Sequence, residues 1–184
     1  MSNEPGFQGD KKPARSAPLA IFFSCADERL SAAERAFFAD ADPLGFVLFQ
    51  RNCRDPDQVR ALIAEFRDSV GRGDAPVLID QEGGRVARLK PPHWRRYPAA
   101  VQFAALPNAE EAVWLGARLI ADDLAALGVT VDCTPVLDLP VAGADGVIGD
   151  RAYGGEPAPV ARFGRAVTTD DPVRGVREIV QAAR

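Results

Sequence analysis

Residues 76–89 read PVLIDQEGGRVARL. An apolar run of strand length, Pro76 to Asp80, ends in Asp80, Gln81 and Glu82. Gly83 and Gly84 then free the backbone, and Arg85 and Arg88 stand three residues apart. Continuous apolar runs of this length suit a strand buried on both faces, as in a parallel sheet. In parallel α/β folds, ligand sites are built at the carboxyl ends of strands. A carboxylate at that end faces a cleft, the glycines permit a tight turn, and the two arginines can fold back towards the same cleft.

The flanking sequence repeats the pattern. LAIFFSCA (19–26) and LGFVLFQ (44–50) are apolar runs of strand length, and VTVDC (129–133) is a fourth. Between them lie helix signals. Ser31 and Glu34 have capping-box spacing, with Pro43 beyond the helix end. Asp55 can cap a second helix, Pro56 suits its first turn, Gln58 takes the capping-box position and Gly71 closes it. Val59, Leu62, Ile63, Phe66 and Val70 form its apolar face. In the third, Asn108 is the expected cap, Val113, Ala117, Ile120, Leu124 and Leu127 step at helical spacing, and Gly128 ends the run. A helix from about 157 to 167 presents Val160, Phe163 and Val167. The order β-α-β-α-β-loop-α-β-loop-α implies an α/β fold in which parallel strands alternate with helices. Two long loops, 83–107 and 134–159, both follow strands. Loops of that length in compact domains tend to be functional. Asp138 and Arg151 lie in the second and can reach the cleft of Asp80.

The chain has 184 residues, is 47% hydrophobic and carries a net charge of −4, so it is expected to be globular, with no nucleic-acid partner and no membrane partner. Its three cysteines, Cys25, Cys53 and Cys133, include no CxxC pair. They read as buried thiols of a reducing compartment, not as a zinc site or a disulfide framework. Residues 1–17 are polar, rich in Pro and Gly, and hold no apolar core of signal-peptide length. No run approaches the ~20 apolar residues of a membrane span. The expectation is a soluble cytoplasmic protein with a disordered N-terminal segment.

GFVLFQRN, IDQEGGRVARL, TPVLDLP and VIGDRAYGG, in this order and spacing, closely resemble the family 3 glycoside hydrolases, best of all the bacterial β-N-acetylhexosaminidases of peptidoglycan recycling. The resemblance runs from about residue 19 to 167. It implies a (β/α)8 TIM-type barrel, present here in part, and hydrolysis of terminal N-acetylglucosamine from peptidoglycan fragments, with an N-acetylglucosamine-containing sugar or muropeptide as partner. It implies no cofactor. It places Asp80, Arg88 and Arg151 among the substrate contacts. Carboxylates accept from vicinal hydroxyls, and guanidinium groups donate paired bonds. Other roles for the same residues are an Asp80–arginine pair, a solvated Arg88 and a local Arg151–Asp150 pair. Glu82 and Arg85 read as loop-stabilising, Asp138 as ordering a strand end, and Gly83, Gly84 and Gly149 as backbone requirements.

The family's chemistry also needs a K-H-x-P-G-H-G segment and a later nucleophilic aspartate. The chain has one histidine, His93, in PPHWRR, outside any such context. Residues 168–184 carry helix signals (Asp171, Pro172, then Val173, Val176, Ile179, Val180 and Ala183) where the family places a fifth strand. The expectation is the N-terminal half of a barrel over 18–167, truncated or frameshifted after about the fourth βα unit, and inactive alone. The alternative is a non-catalytic sugar-binding remnant or pseudoenzyme. A divalent-metal site on Asp80, Glu82 and Asp138 has no spacing motif behind it. An unfinished sheet implies possible self-association through an exposed edge.

Overall fold

The computed structural model describes residues 17–143 and 145–168. The expectations for a disordered N-terminal segment and for a helix over 168–184 therefore lie outside the described residues, apart from Ala17 and Thr168. Four parallel strands form one sheet in sequential order: β1 (Leu19–Phe23), β2 (Pro43–Leu48), β3 (Val77–Ile79) and β4 (Val131–Asp132). Sequential order is how strands follow one another around a (β/α)8 barrel. The helices are α1 (Ala32–Ala41), α2 (Pro56–Val70), α3 (Ala100–Ala104), α4 (Ala109–Ala125) and α5 (Pro157–Thr168). Among the described residues, no helix is long and apolar enough to cross a membrane.

Alternation along the strands sets the core. Phe46, Leu48, Val77 and Ile79 are fully buried, and Phe46 and Leu48 pair in register with Val77 and Ile79. Between them, Val47 and Leu78 face the other side and are half-buried. Against the buried face α2 packs Val59, Leu62, Ile63, Phe66 and Val70. Phe46 stacks on Phe66 with centroids 4.3 Å apart, and Phe38 of α1 meets Phe46 edge-on at 5.2 Å. Ser31 and Glu34 form the expected capping box of α1. Asp55 caps α2 by accepting from the Gln58 amide at 2.9 Å, and Gly71 closes it at φ 59°.

Several local expectations differ. Gln58 does not reach back to Asp55. Its Oε1 accepts from the Arg54 amide, and its Nε2 donates to the carbonyls of Glu28 and Asn52. Asn108 stands at the start of α4 but caps no amide; its side chain donates to Glu111. The loop after β3 contains α3, five residues long and too short to show a period. β4 stops before Cys133, and Thr134–Pro135 follows, where proline has no N–H for a ladder. Cys25 is buried, Cys53 is half-buried and Cys133 is exposed, so the reading of three buried thiols holds fully at the first alone. Burial pushes the Cys25 and Cys53 thiols up to about 11 and about 12. A smaller core joins α4 and α5 through Val113, Phe163 and Val167, with Phe103 and Tyr153 beside it.

Candidate functional site

The site grows from the carboxyl end of β3. Gln81 is 1% exposed, and its amide is the staple of the turn that follows. Oε1 accepts from the backbone N–H groups of Arg88 and Leu89, at 2.8 and 3.0 Å, while Nε2 donates to the Leu89 carbonyl at 3.1 Å. Within the turn, the amides of Glu82 and Gly83 both donate to the Val86 carbonyl. Gly83, at φ 96°, takes a conformation that favours glycine. The turn brings Arg88 back onto the strand it left: its Nη2 donates to Asp80 Oδ2 at 2.6 Å.

The second long loop closes over the first through two arginine–carboxylate pairs. Arg151, in the 3-10 turn Gly149–Arg151, grips Glu82 with a fork, Nε to Oε2 at 2.8 Å and Nη2 to Oε1 at 2.7 Å. Arg85 reaches the other way, from Nε to Asp150 Oδ1 at 2.8 Å and to the carbonyls of Val147 and Ile148. The local Arg151–Asp150 pair weighed from the sequence is thus replaced by a crossed arrangement, because each loop offers the other its opposite charge. The Glu82 bonds hold the Arg151 guanidinium firmly charged, and the nearby carboxylates of Asp138 and Asp80 act in the same sense.

Asp80, Arg88 and Arg151 therefore stand at one rim, with Glu82 and Asp138 among them. Their side chains remain 30%, 24% and 24% exposed, whereas Glu82 is 8% exposed. Asp80 keeps acceptor capacity beyond its bond to Arg88, since an ionised carboxylate has about four lone-pair sites. An anionic acceptor flanked by two guanidinium groups, each partly exposed, can hold a molecule that presents neighbouring hydroxyls and a carbonyl. His93 lies elsewhere, exposed and edge-on to Trp94. A cavity of about 510 Å³ opens beside the turn against Gly84, Arg96, Tyr97, Phe103 and Leu106, and none of the three rim residues lines it. Among the described residues, no group of three or more His, Cys, Asp or Glu is placed to hold a metal ion.

One residue of this region was not singled out from the sequence. Asp132, the last residue of β4, is 6% exposed, and its Oδ1 accepts from the Gln81 backbone N–H at 2.9 Å. Burial, with the charges of Asp80 and Glu82 behind it, pushes its carboxyl up to about 7. The signal was an Asp inside the apolar run VTVDC, where a carboxylate needs a donor.

Comparison with known proteins gives a consistent result. Residues 20–177 match the Glycosyl hydrolase family 3 N terminal domain. The beta-hexosaminidase of Methylococcus capsulatus is 40% identical over 152 residues, which is 80% of this chain and 43% of that protein. The beta-hexosaminidase of Pseudomonas aeruginosa is 36% identical over 154 residues, covering 84% of this chain and 44% of its own length. Among solved structures, NagZ from Neisseria gonorrhoeae in complex with N-trifluoroacetyl-D-glucosamine superposes with a TM-score of 0.75 at 31% identity, over 82% of this chain and 46% of that one. The chain thus spans less than half the length of the relatives it matches, and its four-stranded sheet is part of a barrel.

Proposed function

The chain belongs to glycosyl hydrolase family 3, and from that premise we propose that Asp80, Arg88 and Arg151 form the substrate-holding part of a β-N-acetylhexosaminidase site. The ligand is a terminal N-acetylglucosamine, carried in the cell on a muropeptide released in peptidoglycan recycling, and the compartment is the cytoplasm. The observation that carries the reading is the convergence of the Asp80–Arg88 pair and the Arg151 fork at one open rim. The sugar analogue bound to the NagZ relative supports the sugar class. Asp80 accepts from neighbouring sugar hydroxyls, while Arg88 and Arg151 donate to hydroxyl or acetamido oxygens. Hydrolysis with retention needs a nucleophile and a proton donor on opposite sides of the bond. The 184 residues contain no K-H-x-P-G-H-G segment and one histidine, His93, so this chain binds without cleaving.

Ligand-observed NMR with N-acetylglucosamine is expected to show weak binding by the chain. Asp80→Ala should weaken it about tenfold or more, the loss of a charged hydrogen-bond acceptor being of order 1.5–3 kcal/mol. No interaction at millimolar sugar sinks the binding proposal. Release of aryl product from an aryl β-N-acetylglucosaminide, above buffer and above Asp80→Ala, sinks the claim that it does not cleave.

We also propose that the 184-residue chain self-associates through its sheet edge. Among the described strands, β1 pairs only with β2 and β4 only with β3, and Leu19 and Ile21 of β1 are 55% and 38% exposed. An open apolar edge is a template for pairing. Sedimentation velocity is expected to show concentration-dependent dimer that Leu19→Lys shifts to monomer. A monomer at every concentration in the unsubstituted chain refutes it.

A further inference from the structure

Asp132 is the buried titratable group for which the sugar site has no stated use. It pairs with Ile79 in the sheet register, and Oδ1 is fixed by the Gln81 amide, the N–H that lies between Asp80 and Glu82. Its Oδ2 is buried with no hydrogen-bond partner. The groups around it are Asp80 and Glu82 after the end of β3, Cys133 next to it just past β4, and Tyr153 from the segment before α5. Arg88 and Arg151 are engaged with Asp80 and Glu82 themselves.

We propose that Asp132 is a positioning residue for the two ion pairs: through the Gln81 amide it sets where Asp80 and Glu82 stand, and the protonation of its own carboxyl changes that placement. The inference rests on the reading of Asp80 as a sugar-holding group only for its consequence in binding, not for its geometry. Ionised Asp132 sets a third negative charge beside Asp80 and Glu82, on an oxygen that nothing solvates. A proton on Oδ2 removes that repulsion and leaves the Gln81 bond in place. Burial is the main cause that raises its pKa from 3.8 to about 7, with Asp80 and Glu82 acting in the same sense and the amides of Gln81 and Cys133 opposing them. Because the folded value lies above the unfolded one, the stability this group contributes is fully present below about pH 4 and is lost as pH rises through about 7.

The test is an NMR titration of the whole chain across neutrality, following side-chain carboxyl carbons and the Gln81 amide. The Asp132 carboxyl and the Gln81 amide are expected to share one midpoint near 7, and the carboxyls of Asp80 and Glu82 to show an inflection at the same pH. D132N keeps an acceptor for the Gln81 amide and should abolish those inflections. D132A should shift the Gln81 amide at every pH. An Asp132 that titrates with ordinary carboxylates overturns the inference. So do flat Gln81, Asp80 and Glu82 signals across neutrality in the unsubstituted chain, which decides the matter even if neither variant folds. The readout uses no sugar, so a failure to bind N-acetylglucosamine strikes the proposed function alone.

Discussion

Glu82→Ala is expected to destabilise the chain by about 3 kcal/mol, the lower end of what breaking a buried ion pair costs. The cost is set by what remains behind. Glu82 is 8% exposed and accepts both arms of the Arg151 fork, while Arg151 is 24% exposed and can regain part of its hydration. Partial rehydration keeps the loss from reaching the upper range. Glu82 and Arg151 are 69 residues apart in sequence, so the fork closes a long loop and its removal frees the whole turn Gly149–Arg151. Glu82→Gln keeps the shape and one acceptor and should lose roughly half as much. Asp150→Ala is the control: its bond to Arg85 is of similar length, but the two side chains are 45% and 48% exposed, and exposed pairs contribute about 0–1 kcal/mol. Denaturant midpoints at constant slope measure all three. Equal losses for Glu82→Ala and Asp150→Ala would show that burial does not distinguish the two pairs.

That contrast marks what a single sequence can disclose here. The alternation of strands and helices was legible because its signals are local. The apolar face Val59, Leu62, Ile63, Phe66 and Val70 and the Ser31–Glu34 box lie within a few turns of chain, and both appear in the structure. Two of the segments that carry the family resemblance, IDQEGGRVARL and VIGDRAYGG, meet at the rim through Asp80, Arg88, Glu82 and Arg151. Who pairs with whom was not legible. Asp150 is next to Arg151 in sequence, yet the guanidinium goes to Glu82, because Arg85 from the other loop takes Asp150. Asp132 shows the same limit: the run VTVDC marks a carboxylate in need of a donor, but its partner, the Gln81 backbone N–H, lies 51 residues away. α3 is five residues long and follows Pro98 closely, too little chain for a helical period to emerge. Local patterns fix elements, whereas charge pairing between loops is decided by the sheet that brings them together.

Gly83→Ala is expected to cost about 3 kcal/mol, summing left-handed backbone strain and overpacking. Gly83 has φ 96°, and a Cβ built there lies 2.2 Å from the Pro98 carbonyl oxygen and 3.3 Å from Tyr97 Cβ. The obstacle is backbone, so no rotamer change relieves it. The loop cannot simply move away. The Gly83 amide donates to the Val86 carbonyl, the Val86 amide returns to the Gly83 carbonyl, and the Gly84 amide is bonded to the Tyr97 carbonyl. Any shift that makes room for a methyl group breaks one of these or displaces Arg85 and Arg88 from Asp150 and Asp80. Gly155→Ala supplies the comparison, since nothing lies within 4 Å of its Cβ position, and it should fall within about 1 kcal/mol of neutral. If Gly83→Ala unfolds at the same denaturant concentration as Gly155→Ala, the turn is not clamped as described. A loss of stability with the Asp80–Arg88 pair intact by NMR would instead locate the strain in the Tyr97–Pro98 strap alone. The geometry predicts that both go together, because the strap and the arginine turn share the Gly83–Val86 bridge.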